Sequence, residues 1–155
     1  MKILILIACG LILFSVTFAH AMVGDTLSAC IEKYGEPKDR NRAESTWTFE
    51  KGNIHIIAHM FEGIVDRIDY YKTNLLGKSV EFSEKEIKQI RLTNSYGQNW
   101  RRMLVLGNID YWISDAAFLL ALYDLDDNTL TILSKAYADR IEIANEESKY
   151  DKLGK

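Results

Sequence analysis

Apolar residues fall at Leu27, Cys30, Ile31 and Tyr34, the i, i+3, i+4, i+7 stripe of one helix face. Asp25 or Thr26 can accept the free N–H groups at its start. Gly35 suits the left-handed residue past its end, and Pro37 stops continuation. Beyond a charged loop over 38–44 the period drops from 3.6 to 2. Ser45-Thr46-Trp47-Thr48-Phe49-Glu50 alternates as a half-buried strand does. Lys51-Gly52-Asn53 and Glu62-Gly63 then punctuate two further strand segments, 54–61 and 64–71, giving an antiparallel meander.

The second half repeats this order. Ser83 with Glu86 makes a capping box, and Phe82 against Ile87 a hydrophobic staple, so a helix runs to about Asn94 and stops near Tyr96-Gly97. Strands follow over 100–106, 109–113, 118–123 and 130–133, with turns at Gly107-Asn108, Ser114-Asp115 and 124–128. Ser134 can cap a terminal helix with Tyr137, Ile141 and Ala144 on one face, and the polar residues 145–155 read as a flexible tail. The pattern predicts an α+β fold with one or two helix-plus-antiparallel-meander units, 24–72 and 82–133, and helices packed on one face of the sheet.

Composition adds the compartment. Lys2, an apolar run over 3–19 and Ala19-His20-Ala21 form a secretory signal peptide, with cleavage expected after Ala21. Uncut, the run is long enough to anchor the chain with Lys2 inside. Leu6-Ile7-Ala8-Cys9 has the form of a lipobox, but the apolar run continues for ten residues past Cys9. The expected product is a single domain over 22–144, periplasmic or extracellular. Removing Lys2 from 19 basic residues leaves 18 against 22 acidic, which argues for solubility and against a nucleic-acid or anionic-membrane surface, and once the leader is cut no stable membrane insertion is expected. Cys30 alone survives cleavage, so no internal disulfide forms, and its place on the apolar stripe reads as a buried, inert thiol.

Gly24-Asp25-Thr26, the apolar helix, Tyr34-Gly35-Glu36-Pro37, Trp47-Thr48-Phe49, then Phe61-Glu62-Gly63-Ile64-Val65 with Ile68 resemble the SmpA/OmlA-type envelope domains. The same shape occurs in the α/β repeats of β-lactamase-inhibitor proteins. The resemblance covers about 24–71, with Tyr34 at the position of a family leucine and Met60 at that of a family phenylalanine. Neither the anchoring lipid cysteine nor the paired disulfides of those families accompany it. It implies this fold and an exported, mainly non-catalytic binding role, and it transfers no active-site residue.

His55 and His59 form H-x-x-x-H, but on a strand four residues span roughly 13 Å, too far for one ion. With a two-residue turn at Glu62-Gly63, His59 would face Asp66 and His55 would face Tyr70; a bulge would put Arg67 opposite His59 instead. The first arrangement would orient a general base for a small hydrolase using His55, His59 and Asp66, though no nucleophile is placed beside it. Asp124 opens a calcium-like loop, but Thr129 and Lys135 occupy the positions that need glycine and glutamate. Arg101 and Arg102 point to opposite faces of a strand and make no patch. No cofactor or metal is expected.

Tyr70-Tyr71 and Tyr111-Trp112 each put one ring on either face of the sheet. Either the face away from the helices presents aromatic rings to a partner, or the terminal helix or a second copy of the chain covers it. The expected function is a non-enzymatic module that binds another exported protein through an open sheet face, with Tyr70, Tyr71, Tyr111, Trp112, His55 and His59 as interface candidates. The alternative is a protein inhibitor of a secreted or periplasmic enzyme.

Overall fold

The computed structural model describes residues 22–153, with side chains up to residue 144; the leader expected over 1–21 lies outside them. The elements in order are α1 (Leu27–Tyr34), β1 (Asp39–Asn41), β2 (Thr46–Lys51), β3 (Ile54–Phe61), β4 (Ile64–Thr73), β5 (Ser79–Val80), α2 (Glu84–Asn94), β6 (Arg101–Leu106), β7 (Ile109–Ser114), β8 (Leu119–Asp124), β9 (Thr129–Ser134) and α3 (Lys135–Leu153). The fold is α+β, with helices against one antiparallel sheet of order β1-β2-β3-β4-β9-β8-β7-β6, and β5 beside β4.

Each half is a helix followed by a four-stranded meander. The meanders meet at their last strands, β4 against β9, with Tyr70 opposite Leu130. That junction leaves β1 and β6 as the two outer edges.

The local signals act as their chemistry requires. Thr26 caps α1 by accepting from the Ala29 N–H, and the Gly35 N–H returns to the Ile31 carbonyl with φ at +82°. Ser83 and Glu86 complete the capping box of α2. Glu62 and Gly63 both take positive φ, 51° and 83°, as a type I′ hairpin turn demands. The β3–β4 register then slips one residue, so Met60 faces Val65, His59 faces Arg67, and Asp66 is left as the bulged residue.

Because side chains alternate across the sheet, ladder partners share a face. Phe49, Ile56, Tyr70, Leu130 and Tyr123 form one row, and Ala58, Ile68, Ile132, Ala121 and Trp112 the next. All ten are buried, and with α1 and α2 over them they make the core. The remaining helix, α3, crosses the opposite face. It runs through residues expected as a tail, since neither glycine nor proline interrupts it before Gly154. No helix among the described residues is long and apolar enough to cross a membrane.

Candidate functional site

The α3 side of the sheet carries a polar cluster centred on Asp69 of β4. Arg67 and Asp69 lie on the same face of β4, and the register brings His59 of β3 and Thr131 of β9 beside them. The Asp69 carboxylate accepts from Arg67 Nε at 3.0 Å and from Thr131 Oγ1 at 2.6 Å, and lies 2.8 Å from His59 Nε2. Arg67 Nη1 donates to the Tyr137 hydroxyl of α3 at 3.0 Å. Burial opposes ionisation of Asp69, but the hydrogen bonds from His59, Arg67 and Thr131 outweigh it and hold the pKa below the usual carboxylate value.

Of the two registers expected at this end of the sheet, the bulged one is found, with Arg67 opposite His59. The bulge removes Asp66 from His59, and Asp66 instead takes a salt bridge from Arg140 of α3. His55 faces Tyr71, not Tyr70; the rings stack at 4.6 Å and 6° between planes, with Thr73 Oγ1 3.0 Å from His55 Nε2. The carboxylate beside His59 is therefore Asp69, whose oxygens are already shared with Arg67 and Thr131. None of the groups bonded in this cluster is a serine or cysteine nucleophile, and the hydrolase constellation of His55, His59 and Asp66 is not assembled.

Two interface candidates are buried on the other face. Tyr70 is fully enclosed and its hydroxyl accepts from Asn94 Nδ2 of α2 at 3.1 Å. Trp112 lies under Arg91 of α2. Each sits in a row that α1 and α2 must cover, so adjacency with Tyr71 and Tyr111 places these rings in the core. Tyr71, Tyr111, His55 and His59 do lie on the α3 side, all partly exposed.

Tyr137 on Arg67, and Arg140 on Asp66 with its guanidinium 3.9 Å from the Phe61 ring centroid, hold α3 toward the β3–β4 hairpin. The helix thereby leaves β7 and β8 incompletely covered. A groove of about 470 Å³ results, lined by Met103, Tyr111, Leu120, Leu122, Tyr137 and Ile141. Beyond it lies β6, where Met103, Leu104, Val105 and Leu106 are each about half exposed or more. The opposite edge, β1, is only three residues long and reads Asp-Arg-Asn. Short, charged or bulged edges are how sheets avoid unwanted pairing; β6 opens with Arg101 and Arg102 and bulges at Met103, but Leu104–Leu106 carry neither a charge nor a bulge.

Other residues singled out by the sequence have structural roles. Asp124 Oδ1 accepts from the Asp126 N–H within its own turn, and Asp126 accepts from Asn108. Cys30 is fully buried, and burial pushes its thiol up to about 11, with Asp25 adding to the effect. Arg67, Asp69, Thr131 and the β6 run were not marked as functional by the sequence. Their significance depends on the bulge and on strand order, neither of which has a short-range signature.

No family model matches the chain, and no curated protein matches it. A solved crystal structure of a cysteine-rich secretory protein from Staphylococcus aureus subsp. aureus Mu50 is similar at 13% identity and a TM-score of 0.41, the match covering 74% of this chain and 45% of that one. By its own element and strand order the protein is an α+β sheet protein of helix-plus-meander design.

Proposed function

We propose that the protein is an exported, non-enzymatic module that binds another exported protein through the β6 edge and the adjoining groove under α3. Export rests on the leader-like run over 3–19, and the resemblance of residues 24–71 to envelope domains supports the same setting. The observation that carries the reading is the contrast between the two sheet edges. β1 is short and charged, whereas β6 offers four consecutive apolar residues on an edge strand and continues through Met103 into an apolar groove. An extended segment of a partner can add to such an edge by main-chain hydrogen bonds, while its side chains enter the groove for specificity.

The test is capture of a partner from native envelope or culture medium by the tagged chain, repeated with Leu104→Lys and Leu106→Lys. Both residues are exposed, so the fold, read by circular dichroism, is expected to persist while capture is lost. Equal capture by wild type and both variants would reject the β6 edge as the binding surface.

A further inference from the structure

On the face opposite α3, α2 and the β6–β7 hairpin enclose a cleft of about 500 Å³. Ile87 and Trp112 form its apolar part, and Lys85, Lys88, Arg91 and Arg102 stand around it against Glu84 and Asp110. In a chain of net charge −3 this is a local reversal of sign. Arg102 is answered by an ion pair with Asp110. Arg91 has no carboxylate in ion-pair contact among the described residues. Its guanidinium carbon lies 4.2 Å from the Trp112 ring centroid and 6.0 Å from that of Trp100. Its Nε is buried and donates to no acceptor among the described residues.

The arrangement is held in place from several sides. Trp100 Nε1 donates to the Arg91 carbonyl at 2.8 Å and to Ser95 Oγ at 2.9 Å, and Trp112 is buried in the sheet. Burial lowers the Arg91 pKa, Asp110 counters this in part, and Arg102 adds to it. A half-buried cation with an unused donor carries a desolvation cost that an arriving anion would relieve.

We propose that this cleft binds a phosphate monoester, its phosphate on Arg91 and Lys88 and its organic body against Ile87 and Trp112. Lys88 is one turn from Arg91 on the same side of α2, so both cations can reach one group. A guanidinium presents its donors in a fork suited to phosphate oxygens. Four cations against two carboxylates leave two positive charges, and a monoester brings about −1.5 to −2 at neutral pH. The cleft lies in the usual size range of small-molecule sites, roughly 300–1,000 Å³, which leaves room for an organic body.

The proposal is tested by titrating the chain with phenyl phosphate, inorganic phosphate and succinate, following indole fluorescence and heat of binding. Phenyl phosphate is expected to bind saturably, with Kd below about 1 mM at low salt. The affinity should fall about tenfold in Lys88→Ala, an exposed position, and further in Arg91→Gln. Added sodium chloride should weaken it, because the cleft is open to screening. Absence of saturation at about 10 mM phenyl phosphate, or unchanged affinity in both variants, would overturn the site. Succinate binding as tightly would overturn the phosphate assignment, and inorganic phosphate binding as tightly would overturn the role of the organic body.

Discussion

Asp69 of β4 lies 2.8 Å from Nε2 of His59 on β3, although the residue directly across the ladder from His59 is Arg67. The diagonal contact makes Asp69 the shared acceptor of three strands and, through Arg67, the link to α3. Asp69→Ala is expected to destabilise the protein by about 2–4 kcal/mol, since it strands Arg67 and Thr131 as well as His59. His59→Ala, at a partly exposed position, should cost only about 1 kcal/mol. Urea unfolding of the two variants and of the double variant measures both costs and their coupling. Equal losses would contradict the central place given to Asp69.

The same carboxylate sets a pH dependence. For Asp69 and for Glu86, burial opposes ionisation, but hydrogen bonds dominate: His59, Arg67 and Thr131 on the first, Ser83 and Lys72 on the second. Both folded pKa values therefore lie below the unfolded ones, about 3.9 for Asp and 4.3 for Glu. Their contribution to stability is fully present above those values and is lost as the pH falls through the folded ones. Stability measured by urea unfolding should thus drop below about pH 4, and the drop should be shallower in Asp69→Asn.

What the sequence revealed and what it hid follow from the range of the forces involved. Capping boxes, positive-φ turns and the 3.6 and 2 periods are local, and Thr26, Gly35, Ser83, Glu86 and Gly63 behave as their residue types require, while Glu62 accepts a left-handed φ of 51° that glutamate disfavours. The α+β class and the helix-plus-meander order were legible for that reason. The slip after His59, which exchanges Asp66 for Asp69, is a one-residue choice that leaves Phe61 opposite Ile64 in either register. The bulged Asp66 is met by Arg140, from a helix more than seventy residues away, a partner that no local pattern announces. Strand order is similarly remote: a run such as Met103–Leu106 reads as an ordinary strand until the β4–β9 junction makes β6 an edge.

The adjacent aromatic pairs separate by face, and substitutions should separate with them. Trp112→Ala removes a buried ring and its contact with Arg91, and about 3–5 kcal/mol of stability should go with it. Tyr70→Phe deletes one hydroxyl acceptor while Asn94 Nδ2 keeps the Ile90 carbonyl, so about 1 kcal/mol is expected. Tyr71→Ala, on the other face, loses a stacked pair with His55 worth about 1 kcal/mol beyond its packing. Thermal unfolding of the three variants should rank Trp112→Ala as the most damaging, which makes it unfit as a probe of binding.

Cys30 should be chemically silent in the native state. It is fully buried, and its thiol is raised to about 11 by burial and by Asp25, so almost no thiolate exists at neutral pH. A thiol reagent such as an aromatic disulfide is expected to modify it only after denaturant is added. Stoichiometric labelling of the folded protein at pH 7 would show that α1 opens from the sheet far more readily than its packing suggests.

The β6 edge makes the most direct prediction about binding. An inner strand donates its amides alternately to two neighbours, whereas β6 has a neighbour only in β7, so past the bulge at Met103 alternate amides over Leu104–Leu106 face outward. In the free chain those outward amides should exchange with deuterium nearly as fast as loop amides, while the β4–β9 junction at the sheet centre stays protected. If a partner adds a strand to this edge, the outward amides acquire acceptors and their exchange should slow by orders of magnitude, with little change at β1. Residue-resolved exchange on the free and partner-saturated chain distinguishes this from docking of side chains alone in the groove under α3. Groove docking would leave the outward β6 amides exchanging at their free-chain rate even when the partner is fully bound.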